Sequence, residues 1–268
     1  RLTFTFYINF CALSIIDSGL IFIAHLEPSP QTAYYPYALD RVKGEKDFYI
    51  TAYPSSCGFY KPDIKLSERF GAEDHLKIIG KTKVQTIDLD SFCDEYNIQN
   101  IDFIKLDTEG SELDILKGAE KSIIAGVLGL SIETEFLRTH IDQPLFADID
   151  QYLRSIGFEL YDLDLNRWSR KALKSVDNSF GQLHFAQSLY LREVANKLNN
   201  LEDYNEDWNP SRVQKMASIM ELFNLPDCAS ELIQKSESIG LFKGNEIKKW
   251  LNLLVPQLDE KNLTYDEY

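Results

Sequence analysis

Apolar residues along this chain fall into two alternating kinds of run: short β-branched stretches, and segments with an apolar side chain every third or fourth position. Ile101, Phe103, Ile104 and Leu106 form the first kind, as suits a strand covered on both faces. Leu113, Leu116 and Ile123, with Ile115, Ala119 and Ile124 beside them, then recur at helical spacing and predict one helix with a core-facing stripe. Strand-like segments near residues 20–24, 46–52, 84–87 and 127–133 alternate with further helical patterns. A helix over residues 145–156 would bury Phe146, Ile149, Leu153 and Ile156, and FELYDLD and LHFAQSLYLR follow as closing strands. This order predicts an α/β fold with a mostly parallel sheet and helices on both faces.

The pattern changes after about Asn196, where LNNLEDYNEDWNPS is polar and acidic. Val213, Met216, Met220 and Phe223 then fit one helical face. Pro226 opens a second helix through Ile233, and Ile247, Trp250, Leu251 and Leu254 suggest a third. The chain therefore divides into a main domain, residues 1–196, and an acidic linker with a small helical appendage, residues 197–268. The appendage reads as a cap packed on the sheet or on a second subunit. The first 24 residues are strongly apolar, but Asn9, Asp17, Ser18 and Gly19 interrupt them. The stretch between Phe4 and Ile16 is too short to span a bilayer, so buried strands are the better reading than an anchor.

Candidate chemistry gathers where the strands end. Asp107, Thr108, Glu109 and Gly110 follow the apolar run at its carboxyl end, the place where open α/β sheets bind ligands. A carboxylate there can orient a cationic group, bind a metal or take a proton from a hydroxyl; its plainer use is to cap the next helix. Glu133 and Glu135 in SIETEF alternate along a strand and so share a face, where close carboxylates would push their pKa values apart. His140 lies in the following loop, RTHIDQPLF, and a neutral imidazole there could accept a hydroxyl proton. His25, His75 and His184 have no comparable surroundings in the sequence. Ser55 and Ser56 could border a pocket, although the stretch PSSCG reads equally well as a turn.

KLDTEGSELDILKGA resembles the central signature of the FkbM-type S-adenosylmethionine-dependent methyltransferases. YPYALD, KDFYIT, the serine pair and TIDLDSF upstream, and LSIETEF, DQPLFADIDQYLRSIGFELYDLD and HFAQSLYLR downstream, stand in the family's order. The resemblance runs over roughly residues 35–192. It implies a Rossmann-like methyltransferase fold whose last strand is antiparallel, and transfer of a methyl group to a hydroxyl of a sugar or other small polyol-like acceptor. It also implies cofactor contacts from Glu27, at the ribose hydroxyls, from Asp40, on the adenine side, and from Asp107, beside the methionine end. The catalytic candidates are then Asp107, Glu109, Glu133 and His140. One element departs from the family: residues 1–24 hold no D-x-G-x-x-x-G loop, and Gly19 is their only glycine. With no initiator methionine either, the chain reads as an N-terminal truncation or a divergent copy.

Charge and cysteine content narrow the partners. The formal charge of −14 and the lack of a basic stripe argue against nucleic acid and anionic lipid, and favour a small-molecule or glycan acceptor. A homo-oligomer stays open. Cys11, Cys57, Cys93 and Cys228 are scattered without metal spacing, which fits a reduced, cytoplasmic protein. Oxygen ligands suited to Mg²⁺ lie around Asp107 and Glu133, but their spacing assigns no metal set. The alternative to an enzyme is a non-catalytic binding or scaffold protein that keeps the fold without the cofactor. A nucleotide-sugar enzyme is weaker still, because no G-x-G-x-x-G follows a strand.

Overall fold

The computed structural model describes residues 35, 37–172, 180–193, 208–242, 245–254 and 264–265, and the backbone alone of 5–9, 13–16, 20–23 and 244. The strands β1 (Thr5–Asn9), β2 (Leu13–Ile16) and β3 (Leu20–Ile23) come first, followed by the two-residue β4 (Ala38–Leu39) and the longer β5 (Gly44–Thr51). A short helix α1 (Ile64–Ser67) precedes β6 (Ile78–Ile87) and α2 (Leu89–Glu95). Next come β7 (Phe103–Asp107), α3 (Glu112–Lys117), α4 (Glu120–Gly126), β8 (Gly129–Glu135), α5 (Phe146–Ser155), β9 (Phe158–Trp168) and β10 (Gln182–Arg192).

The main sheet has the order β1-β7-β8-β10-β9. β1 and β8 flank β7 in parallel, and β10 runs antiparallel to β8. Ile104, Leu106, Leu130 and Ile132 are almost wholly buried in the centre of this sheet. Ile115, Leu116, Ile123, Ile149 and Leu153 from the helices belong to the same core. Fully burying each such side chain is worth about 1.5–3 kcal/mol, so the central strands are the rigid frame of the molecule.

Two expectations change. The architecture is mixed α/β, not mostly parallel, because β5 and β6 do not join the main sheet. They pair antiparallel in a separate three-stranded sheet, β4-β6-β5, and β2 and β3 form an antiparallel pair of their own. The cause is visible in β6, whose side chains alternate between exposed and half-buried over eight residues. An antiparallel strand with one wet face tolerates that alternation, whereas a parallel strand sandwiched by helices does not. The single helix expected after Asp107 is also two helices. Gly118 breaks it, lying so close to the Asp40–Arg41 backbone that a Cβ there would come within 2.4 Å of the Asp40 carbonyl oxygen. Asp90 then caps the new start, accepting from the backbone N–H groups of Lys121 and Ser122 at 3.0 and 2.8 Å.

The residues fall into two compact units, 3–191 and 192–268 with 1–2. In the second, α6 (Pro210–Leu222) packs on α7 (Pro226–Ser238), and α7 on α8 (Gly244–Leu254). Val213, Met216 and Met220 are buried, but Phe223 lies just past the end of α6 and is 37% exposed. Among the described residues, no helix is long and apolar enough to cross a membrane.

Candidate active site

The turn between β7 and α3 is built from its own side chains. Thr108 donates to Glu112 Oε1 from its backbone N–H at 2.7 Å and from its hydroxyl at 2.8 Å, and the Ser111 hydroxyl donates back to the Thr108 carbonyl at 3.2 Å. Glu112, rather than Asp107 or Glu109, therefore satisfies this turn. Glu109 and Gly110 both have positive φ, at 55° and 101°. For a glutamate this left-handed backbone is strained by roughly 1 kcal/mol or more. The turn is wedged between two neighbours: Gly58 lies against the Glu109 Cβ and carbonyl, and Gly110 lies against the Gln143 side chain.

β8 brings two more acids to the same place. Glu109, Glu133 and Glu135 each offer a carboxylate oxygen, and these oxygens lie within 4.8 Å of one another. Glu135 is buried and Glu133 is partly buried. Burial, with the nearby charges of Asp107 and Glu112 adding to it, raises Glu133 to about 8. Burial also holds Glu109 and Glu135 well above the usual carboxylate range, with Glu133 as the next contributor to each. The balancing groups are few. Lys105 lies 3.6 Å from Asp107 and donates to Gln187 Oε1, while Gln187 Nε2 donates to Glu133 at 3.3 Å.

Two buried histidines lie in the same unit, and one of them reaches this group. His140 is buried, with Nδ1 3.2 Å from Gln143 Oε1 and Nε2 without a hydrogen-bond partner among the described residues. Burial lowers it to about 4, so it is neutral across the physiological range. His184, set aside in the sequence, belongs here after all. Its Nε2 lies 3.7 Å from Glu135 Oε2, and its ring lies against Trp168 with centroids 3.6 Å apart. The contact joins β8 to β10 across some fifty residues, and only the antiparallel pairing of those strands reveals it. Gln187, opposite Glu133 on the same pair of strands, was missed for the same reason.

Asp40 belongs to a different group. Its carboxylate accepts from Lys46 Nζ at 2.9 Å, and Lys46 also reaches Asp114 at 3.4 Å, which in turn accepts from the Tyr60 hydroxyl at 2.9 Å. Glu27 lies outside the described residues. The backbone of Asn9 pairs with Asp107, so the chain leaves β1 at the acidic edge, and Leu13–Ile16 then continue as strand. The Pro54–Ser56 turn that holds Ser55 and Ser56 leads directly into Gly58 and the wall of the site.

A sheet with acids at the carboxyl ends of adjacent parallel strands is consistent with a methyltransferase. The model of the Methyltransferase FkbM domain matches residues 8–160, more than half of the chain, and the chain belongs to that family. The match begins upstream of Tyr35 and ends inside β9, short of the closing strand. No curated protein and no solved structure matches the chain.

Proposed function

We propose that this chain is an S-adenosylmethionine-dependent O-methyltransferase with a Rossmann-like core, acting on a hydroxyl of a sugar or other small polyol-like acceptor. The observation that carries this reading, beside family membership, is the convergence of Asp107, Glu109, Glu133 and Glu135 at one sheet edge. The charge of that edge fits the cofactor, since buried carboxylates with one lysine nearby suit a guest bearing a sulfonium and an ammonium. S-adenosylmethionine, when bound, supplies an electrophilic methyl group.

The chain's own part is alignment and proton handling. Asp107, partly exposed and held by the rigid end of β7, pairs with the cofactor's ammonium or takes the acceptor's proton. The glutamates position acceptor hydroxyls, and Gly58 lets the loop after β5 approach Glu109 closely enough to wall off water. Glu27 is proposed to meet the ribose hydroxyls. Asp40 is left out of the reading because Lys46 already holds its carboxylate. The acceptor is a small molecule or glycan, not nucleic acid or membrane.

A non-catalytic binding protein is the second reading, favoured by the strand β2 standing where a glycine-rich loop would open. Calorimetry with S-adenosylhomocysteine on the full chain separates the two. Binding is expected for an enzyme, and its absence in the full-length gene product overturns the methyltransferase reading. Asp107→Asn should then lower single-turnover methyl transfer on the order of 10²–10⁴-fold with the fold intact by circular dichroism. Equal rates would remove Asp107 from the chemistry.

A further inference from the structure

The loop after β8 holds two buried side chains with idle hydrogen-bonding atoms, and we propose that His140 and Gln143 form a binding site for neighbouring hydroxyls of an uncharged polyol. Each residue is only 1% exposed. Yet His140 Nε2 and Gln143 Nε2 have no hydrogen-bond partner among the described residues. Buried polar atoms left in this way are costly, and a guest that bonds to both removes the cost. The pair contains no carboxylate and stands independently of the three glutamates.

The bonds that are made fix what the idle atoms can do. Gln143 Oε1 accepts from the His140 backbone N–H and, at 3.0 Å, from the Thr139 hydroxyl. That assigns the oxygen of the amide and leaves its NH₂ group, a double donor, at the idle end. His140 Nδ1 lies 3.2 Å from both Gln143 Oε1 and Thr139 Oγ1. Gln143 Oε1 can only accept, and the Thr139 hydroxyl has already given it its proton, so Nδ1 carries the hydrogen and Nε2 keeps its lone pair. Burial lowers the imidazole to about 4, which keeps that lone pair free at neutral pH. One acceptor and one double donor, neither charged, match a hydroxyl that donates and a neighbouring hydroxyl oxygen that accepts. A carboxylate has no proton for Nε2, and an ammonium group has no lone pair for the amide.

The pair sits against the glutamate turn. The Gln143 side chain packs on Gly110, the residue after Glu109, where a Cβ would come within 3.3 Å of the Gln143 Cβ and 3.6 Å of its Nε2. Backbone hydrogen bonds tie this loop to the one that carries Gly58, the turn's other neighbour. The Asp63 N–H donates to the Thr139 carbonyl at 2.8 Å, and the Ile141 N–H to the Lys61 carbonyl at 2.7 Å. Lys61 and Ile141 are exposed, so the clamp lies at the surface, where parting it admits a guest. The site stands on these atoms; that its guest is the methyl acceptor rests on the methyltransferase reading.

The test is nuclear magnetic resonance of the full chain with ¹⁵N-labelled histidine, the His140 signals being assigned by their loss in His140→Asn. A protonated Nδ1 and a bare Nε2 are expected at neutral pH. Ethylene glycol, the smallest vicinal diol, or methyl glucopyranoside should move the Nε2 signal upfield and saturate, whereas dimethoxyethane, which has no O–H group, should not. Gln143→Glu keeps the Oε1 acceptor that holds the loop, loses the amide donors, and should weaken diol binding about tenfold or more. Circular dichroism controls for folding, and the wild-type titration decides alone if that variant does not fold. The opposite tautomer, no movement with either diol, equal movement with the ether, or unchanged affinity in folded Gln143→Glu overturns the site. S-adenosylhomocysteine binding to the full-length gene product is measured in parallel: diol binding without it leaves the hydroxyl site standing and removes the methyltransferase reading, and the converse result does the reverse.

Discussion

Asp40 and Asp114 share Lys46 and Tyr60 between them, whereas Glu109, Glu133 and Glu135 chiefly share one another. Both groups flank α3, and both draw acids out of water. In the first, a cation reaches both carboxylates, and its charge lies 5.0 Å from the centre of the Phe59 ring. Nothing further is needed there. In the second, burial raises all three acids, so their proton-bearing forms bear the desolvation. Acids drawn out of water are thus answered by a cation in one place and by retained protons in the other.

Acid gives the largest expected effect, through a buried histidine in the loop after β8. His140 is held at about 4 in the folded chain against 6.5 ordinarily. Its contribution is complete above about pH 6.5 and is lost as pH falls through 4, because the unfolded chain binds the proton first. Denaturant titrations from pH 7 to pH 4 should show stability falling by up to about 3 kcal/mol from this group, and His140→Asn should lack that component of the slope. Parallel curves for the two proteins would mean that this side of the site is not closed to charge.

Removing the cation of the satisfied group comes next. Lys46→Met should cost about 2 kcal/mol, seen as a lower melting temperature, because Asp40 is then buried without its partner. Adding Asp40→Asn should restore part of the loss. If Lys46→Met is neutral, the two groups are more alike than their hydrogen bonds imply. The smallest effect belongs to the glutamate turn. Glu109→Gly relieves the left-handed strain and removes a buried acid, so stability should rise by about 1 kcal/mol, seen as a higher melting temperature. A destabilised variant would show that Glu109 serves the fold.

Much of this was legible where the chain speaks locally. The continuous apolar run before Asp107 marked a buried strand, and alternation placed Glu133 and Glu135 on one face before any coordinates. α5 followed from its apolar spacing and gained its start from Asp148, which accepts from the Leu145 N–H at 2.9 Å. What escaped depends on distant partners. The break at Gly118 exists because Asp40 and Arg41 lie over it, and the partition of β5 and β6 into their own sheet is decided by which face stays wet. Lys46 gave no hint in the sequence that it would pair with Asp40. His184 became part of the site only when β10 turned back along β8.

The order of strands also sets a timetable. β1 pairs with β7, about a hundred residues later in the chain, and β7 must have emerged before β8 can extend the sheet. At roughly 5–20 residues per second, the ribosome releases β1 some 5–20 seconds before its partner exists. During that interval the TFYIN strand has open N–H and C=O groups and apolar side chains to offer any neighbouring chain. By contrast, the β5–β6 pair is complete within some forty residues. The edge that carries the acids is therefore among the last parts of the main unit to form, and chaperone supply should govern yield more strongly than any single side chain within the site.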